Sequence, residues 1–201
     1  MPRTYRLGRR SAQKDLTRSR IVGAATDLYS ELGISRTTLQ EVARSADVAP
    51  GTLRNHFPSR DDLDRAIVDR ALAEMQAPDL SIYNGLSTIG QRLARLSRET
   101  GAFLDRAGRW YRMWLREPMV TGVWAEAGAA HGARWDRLFR EALGPLADDA
   151  DAMAILRATM DPTFFEAVRS GTRSTDQTAD LIAAALTPWL EAGGRERRHA
   201  Q

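Results

Sequence analysis

The chain of 201 residues has no cysteine. Disulfides, thiolate metal sites and cysteine nucleophiles are therefore excluded. Lysine is almost missing too: Lys14 is the only one among 29 basic residues, and the rest are arginine. Histidine occurs three times, at His56, His131 and His199, far apart in the chain. No HExxH, nucleophile elbow or glycine-rich phosphate loop is present, so neither a catalytic site nor a metal or cofactor is expected. The clustered carboxylates Asp148, Asp149 and Asp151 read as a solvated loop. The longest apolar run is LIAAAL at 181–186, far short of the roughly 20 residues that span a bilayer. The opening MPRTYRLGRRSAQK is basic but leads into no apolar core of a secretory signal, which points to a cytoplasmic protein. Runs of alternating apolar and polar residues rich in β-branched types are missing as well, so strands are not expected.

What is present is helical periodicity and uneven charge. Residues 1–60 carry 11 Arg and Lys against 5 Asp and Glu, whereas 61–201 carry 18 against 21. A basic N-terminal part on a mildly acidic remainder fits an electrostatic footprint for nucleic acid. Residues 1–15, with Arg3, Arg6, Arg9, Arg10 and Lys14, read as a flexible basic arm. A first helix is predicted from about Thr17 to Leu32, its apolar stripe formed by Ile21, Ala25, Leu28 and Leu32, with Gly33 closing it in a left-handed cap.

The next stretch, TLQEVARSADVAPGTLRNHFPSRDD at 38–62, carries most of the information. Thr38 and Glu41 have capping-box spacing. Asp47 stands where a turn asks for positive φ, which Asp tolerates better than most residues. Pro50 suits the first position of a helix. That helix has only about two turns and needs Leu53 and Phe57, four apart, to pack it down. Thr52, Arg54, Asn55 and His56 are then left partly outward. Ser59 and Asp62 have capping-box spacing for a fourth helix running to about Pro78. Two short helices joined by a tight turn are the pattern of a helix-turn-helix.

The string AATDLYSELGISRTTLQEVARSADVAPGTLRNHFPSRDDL resembles the DNA-binding domain of the TetR (tetracycline-repressor-like) family of bacterial transcriptional regulators. The tail DPTFFEAVRSGTRSTDQTADLIAAALTPWL is similar, less closely, to that family's ligand and dimer domain. The resemblance implies an all-α chain. Its parts would be the arm (1–15), a helix-turn-helix domain (16–77), a helical ligand-binding and dimerisation domain (78–192) and a polar tail (193–201). It implies DNA contacts by Thr38, Gln40, Pro50, Gly51, Thr52, His56 and Arg60. Two positions depart from the family. Arg54 replaces a usual aromatic residue, and with Asn55 it is a candidate to read a base. Asp47 and Ala49 replace a turn glycine and a hydroxyl cap.

Beyond Pro78 the spacing predicts helices at about 84–106, 109–116, 121–143, 146–160, 162–169 and 175–191, the last opened by Ser174 and Gln177. All five tryptophans lie there. Phe103, Trp110, Trp114, Trp124, His131 and Trp135, with Met113, Met119 and Phe164, are candidates to line a small-molecule pocket. Trp124, Gly128, His131 and Trp135 fall on one helical face. The helices at 146–160 and 175–191 are candidates to dimerise the chain. The expected whole is a homodimeric repressor on a palindromic DNA operator, released by a small apolar or aromatic effector, with no membrane partner. A ligand-independent regulator or activator, and more remotely an enzyme, are the alternatives.

Overall fold

The computed structural model describes residues 3–115, 117 and 122–199, with backbone alone at 3–10, 115 and 193–199. Among the described residues every regular element is a helix. They are α1 (Arg3–Leu32), α2 (Leu39–Ser45), α3 (Pro50–His56), α4 (Arg60–Met75), α5 (Ile89–Leu115), α6 (Val123–Leu143), α7 (Ala150–Thr159), α8 (Pro162–Arg169) and α9 (Thr175–His199). Short 3-10 turns lie at Leu80–Tyr83 and Gly144–Leu146.

The helix starts follow side-chain capping. Thr38 and Glu41 form a reciprocal box at α2. Ser59 with Asp62, and Ser174 with Gln177, do the same at α4 and α9. Thr88 with Gln91 adds another at α5. Each cap satisfies N–H groups that a helix leaves unpaired, contributing about 1 kcal/mol. Left-handed residues end several elements: Gly33 (φ 99°) closes α1, Gln76 (φ 46°) follows α4, and Asp47 (φ 50°) makes the turn before α3.

The chain divides into two compact units. One comprises residues 1–74 with 108–127, and the other 75–107 with 128–201. Residues 108–127 group with the helix-turn-helix in this division. The core of the first unit is built from Ile21, Val22, Ala25, Tyr29, Val42, Ala46, Leu53, Phe57, Leu63 and Ile67, with Trp110, Met113 and Trp124 also buried. The second unit buries Leu93, Leu96, Leu138, Leu143, Leu156, Phe165, Ile182 and Leu190.

Four expectations are corrected. First, α1 begins at Arg3 rather than near Thr17, so the arm is helical backbone and not an irregular tail. Its buried stripe is Ile21, Val22, Ala25 and Tyr29, while Leu32 is 45% exposed. Second, the predicted helices at 84–106 and 109–116 are one helix, α5. No proline interrupts it, and Gly101 serves close packing, since a Cβ there would lie 3.2 Å from the Phe165 ring. Third, the helix read over 146–160 is shorter, because Asp149 caps α7 and the preceding residues form the 3-10 turn. Fourth, α9 carries Pro188 without ending and runs through the polar tail to His199. Met119 and Pro118 lie outside the described residues.

Candidate nucleic-acid interface

The short helix α3 is held from beneath. Leu53 is 1% exposed and Phe57 is fully buried. Ala49 gives α3 no side-chain cap, so packing must hold it in place. Two arginines of α1 brace it. Arg18 Nη1 donates to the His56 carbonyl (3.1 Å), and its guanidinium lies 4.2 Å from the Phe57 ring centroid. Arg20 Nη2 donates to the Asp47 carbonyl (3.2 Å) in the turn ahead of α3.

Packed this way, α3 leaves Pro50, Gly51, Arg54 and Asn55 exposed and Thr52 and His56 half-buried. Arg54 and Asn55 make no hydrogen bond or ion pair among the described residues, so their donors are free for a partner. A Cβ on Gly51 would meet nothing within 4 Å. The fold itself therefore does not require glycine there. His56 Nδ1 is buried without a hydrogen-bond partner among the described residues. Gln40 is exposed at the second position of α2.

Two expected contacts are placed differently. Thr38 spends both of its donors on Glu41: its N–H and its hydroxyl each reach Oε2 at 2.8 Å. Those bonds hold the Glu41 carboxyl below the usual carboxylate range. Arg60, expected at a phosphate, turns inward. Its Nε donates to Asp64 Oδ1 (2.9 Å), Nη1 to the Thr37 carbonyl (2.8 Å) and Nη2 to the Ile34 carbonyl (2.6 Å). It also lies 4.8 Å from the Tyr29 ring centroid. Arg60 thus ties α4 to the segment between α1 and α2.

Several residues of this unit were not singled out from the sequence. Tyr29 donates its hydroxyl to the buried Asp64 at 2.6 Å, and burial together with that carboxylate pushes its phenol well above the ordinary value. Tyr29 stands four residues after Ala25 and eight after Ile21, so helical spacing could have found it. Both Glu117 oxygens accept from the Ser35 N–H at 3.1 Å. A Cβ on Gly33 would overlap the Glu117 carboxylate, so glycine there answers a close approach as well as a positive φ. No local pattern could have signalled that contact across 82 positions.

The expected pocket residues fall into two groups. Trp110 and Trp124 are core side chains of the first unit. Trp110 Nε1 donates to Glu74 Oε2 (2.9 Å), and Trp124 meets Tyr29 edge-on at 6.2 Å. Met113 is buried and Trp114 is half-buried. Phe103, His131 and Trp135 come together in the second unit. The Phe103 ring lies 5.5 Å from His131 and 5.1 Å from Trp135. Trp135 Nε1 donates to His131 Nε2 at 2.8 Å. Indole can only donate, so this histidine is neutral with its proton on Nδ1. Burial, with Arg134 nearby, lowers its pKa. Beside Trp135 an open surface depression of about 440 Å³ lies between Phe139 and the Arg157–Asp136 ion pair. Phe164 is 41% exposed.

Comparisons with known proteins agree with this unit. Residues 21–67 match the model of the family described as bacterial regulatory proteins, tetR family. The HTH-type transcriptional regulator UidR of Escherichia coli K12 is 38% identical over 71 residues, 33% of this chain and 36% of that protein. The chain thus aligns with about a third of that relative's length. The HTH-type transcriptional repressor KstR of Rhodococcus jostii RHA1 is 29% identical over 201 residues, 94% of this chain and 88% of that one. AibR, solved in complex with isovaleryl coenzyme A and operator DNA, superposes with a TM-score of 0.63 at 17% identity, over 86% of this chain and 98% of that one. That likeness concerns the fold. No helix among the described residues is long and apolar enough to cross a membrane. Residues 21–67 thus match the tetR family of bacterial regulatory proteins in sequence, and most of the chain is alike in fold to a solved regulator.

Proposed function

We propose that the protein is a DNA-binding transcriptional regulator that acts as a homodimeric repressor on a palindromic operator. The observation that carries this reading is the outward face of α3. Pro50, Gly51, Thr52, Arg54 and Asn55 stand free of the core that Leu53 and Phe57 fill. A helix so placed enters the major groove with its N-terminal residues against base edges. Arg54 can address guanine N7 and O6 and Asn55 adenine N6 and N7, while Gln40, Thr52 and His56 are candidates for phosphate contacts. Thr38 reaches a phosphate only by giving up its bonds to Glu41, and Arg60 acts by positioning α4.

One such helix reads too little DNA alone, and dimers of helix-turn-helix proteins read two half-sites. The second unit carries a surface for this. On α9, Leu181, Ala184, Ala185, Pro188 and Trp189 face outward at helical spacing, while Ala179, Ile182, Ala183, Leu186 and Leu190 fill the unit's own core. On the adjacent α7, Ala154, Ile155 and Ala158 face outward as well. Small residues among larger apolar ones let two helices approach closely.

The candidate effector site is the aromatic cluster of Phe103, His131 and Trp135 with the open depression beside Trp135, whose rings offer stacking faces to an apolar or aromatic molecule. AibR, of the same fold, was solved holding both a small acyl thioester and DNA. An effector acts only through unequal affinity for the DNA-competent and incompetent states. Binding of the purified protein to DNA upstream of its own gene tests the reading, with acyl-coenzyme A thioesters and aromatic compounds as probes. Specific retention weakened by one of them is expected. Retention that no probe alters would leave a ligand-independent regulator, and no specific retention would overturn the proposal.

A further inference from the structure

Base edges are told apart by hydrogen-bond geometry, so α3 can discriminate only if it is held in a fixed pose. Little within α3 supplies that pose. The helix has seven residues, Ala49 gives it no side-chain cap, and Phe57 ends it in extended backbone. Leu53 and Phe57 anchor it to the core. Apolar burial is non-directional, so these anchors set where α3 sits better than how it is turned.

Directional bonds come from α1. Arg18 donates to the carbonyl of His56, the last residue of α3, and Arg20 to the carbonyl of Asp47, in the turn ahead of it. The first carbonyl is one that a helix end leaves without an intrahelical partner. The second belongs to a left-handed residue (φ 50°), a conformation that costs an L-residue strain. The two bonds therefore grip α3 at its two ends. The Arg18 guanidinium is further occupied by the Phe57 ring, 4.2 Å away. Asp62, whose carboxyl is held low chiefly by its bonds from Ser59, also feels the Arg18 charge. Both arginines are exposed. Water competes for bonds of that kind, so each adds little to overall stability. What they add is direction, because the planar guanidinium fork fixes an angle that an ammonium does not.

We propose that Arg18 and Arg20 are positioning residues that determine sequence specificity: they hold α3 by its two ends in the pose from which Arg54 and Asn55 address base edges. Their guanidiniums serve protein carbonyls rather than phosphates. The inference rests on the DNA-binding reading above and adds two residues outside the helix-turn-helix that act through it.

The test compares the full chain with two variants. Arg18→Lys, Arg20→Lys keeps both charges and loses both forks, whereas Arg18→Gln, Arg20→Gln loses both charges as well. Affinity for the duplex selected from a random pool, and for a scrambled duplex, is measured from about 50 to 200 mM salt. The lysine variant should bind the selected duplex about tenfold or more weaker, on the scale of one lost base contact. It should bind scrambled duplex as the native chain does, with the same steepness of log K against log salt. The glutamine variant should lose no more on the selected duplex. Amide exchange should quicken along α3 but not along α4, with the melting temperature nearly unchanged. Where the double variant does not fold, Arg18→Lys and Arg20→Lys singly give the same comparison. A lysine variant equal to the native chain would overturn the proposal. If the glutamine variant then weakened on both duplexes, with a slope shallower by about 0.9 per lost contact, the arginines would be phosphate contacts. A lower melting temperature with the ratio of selected to scrambled affinity intact would overturn it too, leaving bonds that serve the fold alone. A native chain that selects no duplex would instead defeat the DNA-binding reading itself.

Discussion

At Gly51 the needs of the fold and those of the proposed DNA contact can be told apart. No neighbour would meet a Cβ there, and alanine favours a helix over glycine by up to about 1 kcal/mol. Gly51→Ala should therefore leave the denaturant midpoint unchanged or slightly raised while weakening operator binding, because the methyl stands off the backbone from DNA. Loss of stability with binding intact would show that the residue serves the fold. His131 supplies a second test at this scale. Its pKa is lowered in the folded chain, so the unfolded chain takes up the proton first as pH falls. The stability tied to the neutral ring is present above the ordinary value of 6.5 and is lost as pH falls through the lower, folded value. Melting temperatures measured from pH 7.5 to 5 should decline more steeply for the native chain than for His131→Gln. Parallel curves would contradict a half-buried, neutral histidine accepting from Trp135.

At the scale of elements, α1 and α4 are joined by a polar link within an apolar core. Tyr29 and Arg60 both bond Asp64, which is 6% exposed. Tyr29→Phe removes one bond to a buried carboxylate and should cost about 1.5–3 kcal/mol, read as a lower urea midpoint with an unchanged slope. A change within error would mean that water replaces the hydroxyl. This link also shows where sequence reasoning stops. Capping boxes at Thr38, Ser59 and Ser174, the positive φ of Asp47 and the burial of Leu53 and Phe57 were legible, because each rests on residues at most four apart. The inward turn of Arg60 and the clasp of Glu117 on Ser35 were not, because they depend on which distant carbonyls and N–H groups the fold brings near. The tryptophans misled for the same reason. Their spacing marks apolar faces but does not say that Trp110 and Trp124 pack in one unit while Trp135 packs in the other.

For the whole molecule, the outward stripes of α7 and α9 imply that a lone chain leaves apolar surface uncovered. Leu181→Glu would place a charge where two copies should meet. The native chain should sediment as a dimer and this variant as a monomer, with operator affinity falling steeply because each half-site is then bound alone. A variant that stays dimeric would move the interface elsewhere. The candidate interface was more legible than the candidate effector site at this scale too. A recognition helix is set by a compact run of residues, whereas a pocket in a helical bundle is set by how several helices lean together.

The central claim is that α3, presented by a dimer, reads DNA sequence. Selection of bound duplexes from a random pool by the purified protein tests it most directly. The account predicts an inverted repeat whose half-sites lie about one helical turn or more apart. It also predicts that Arg54→Ala relaxes the preference at a single symmetric position, by about 1–3 kcal/mol. A pool that enriches no motif, or enriches one without two-fold symmetry, would contradict it.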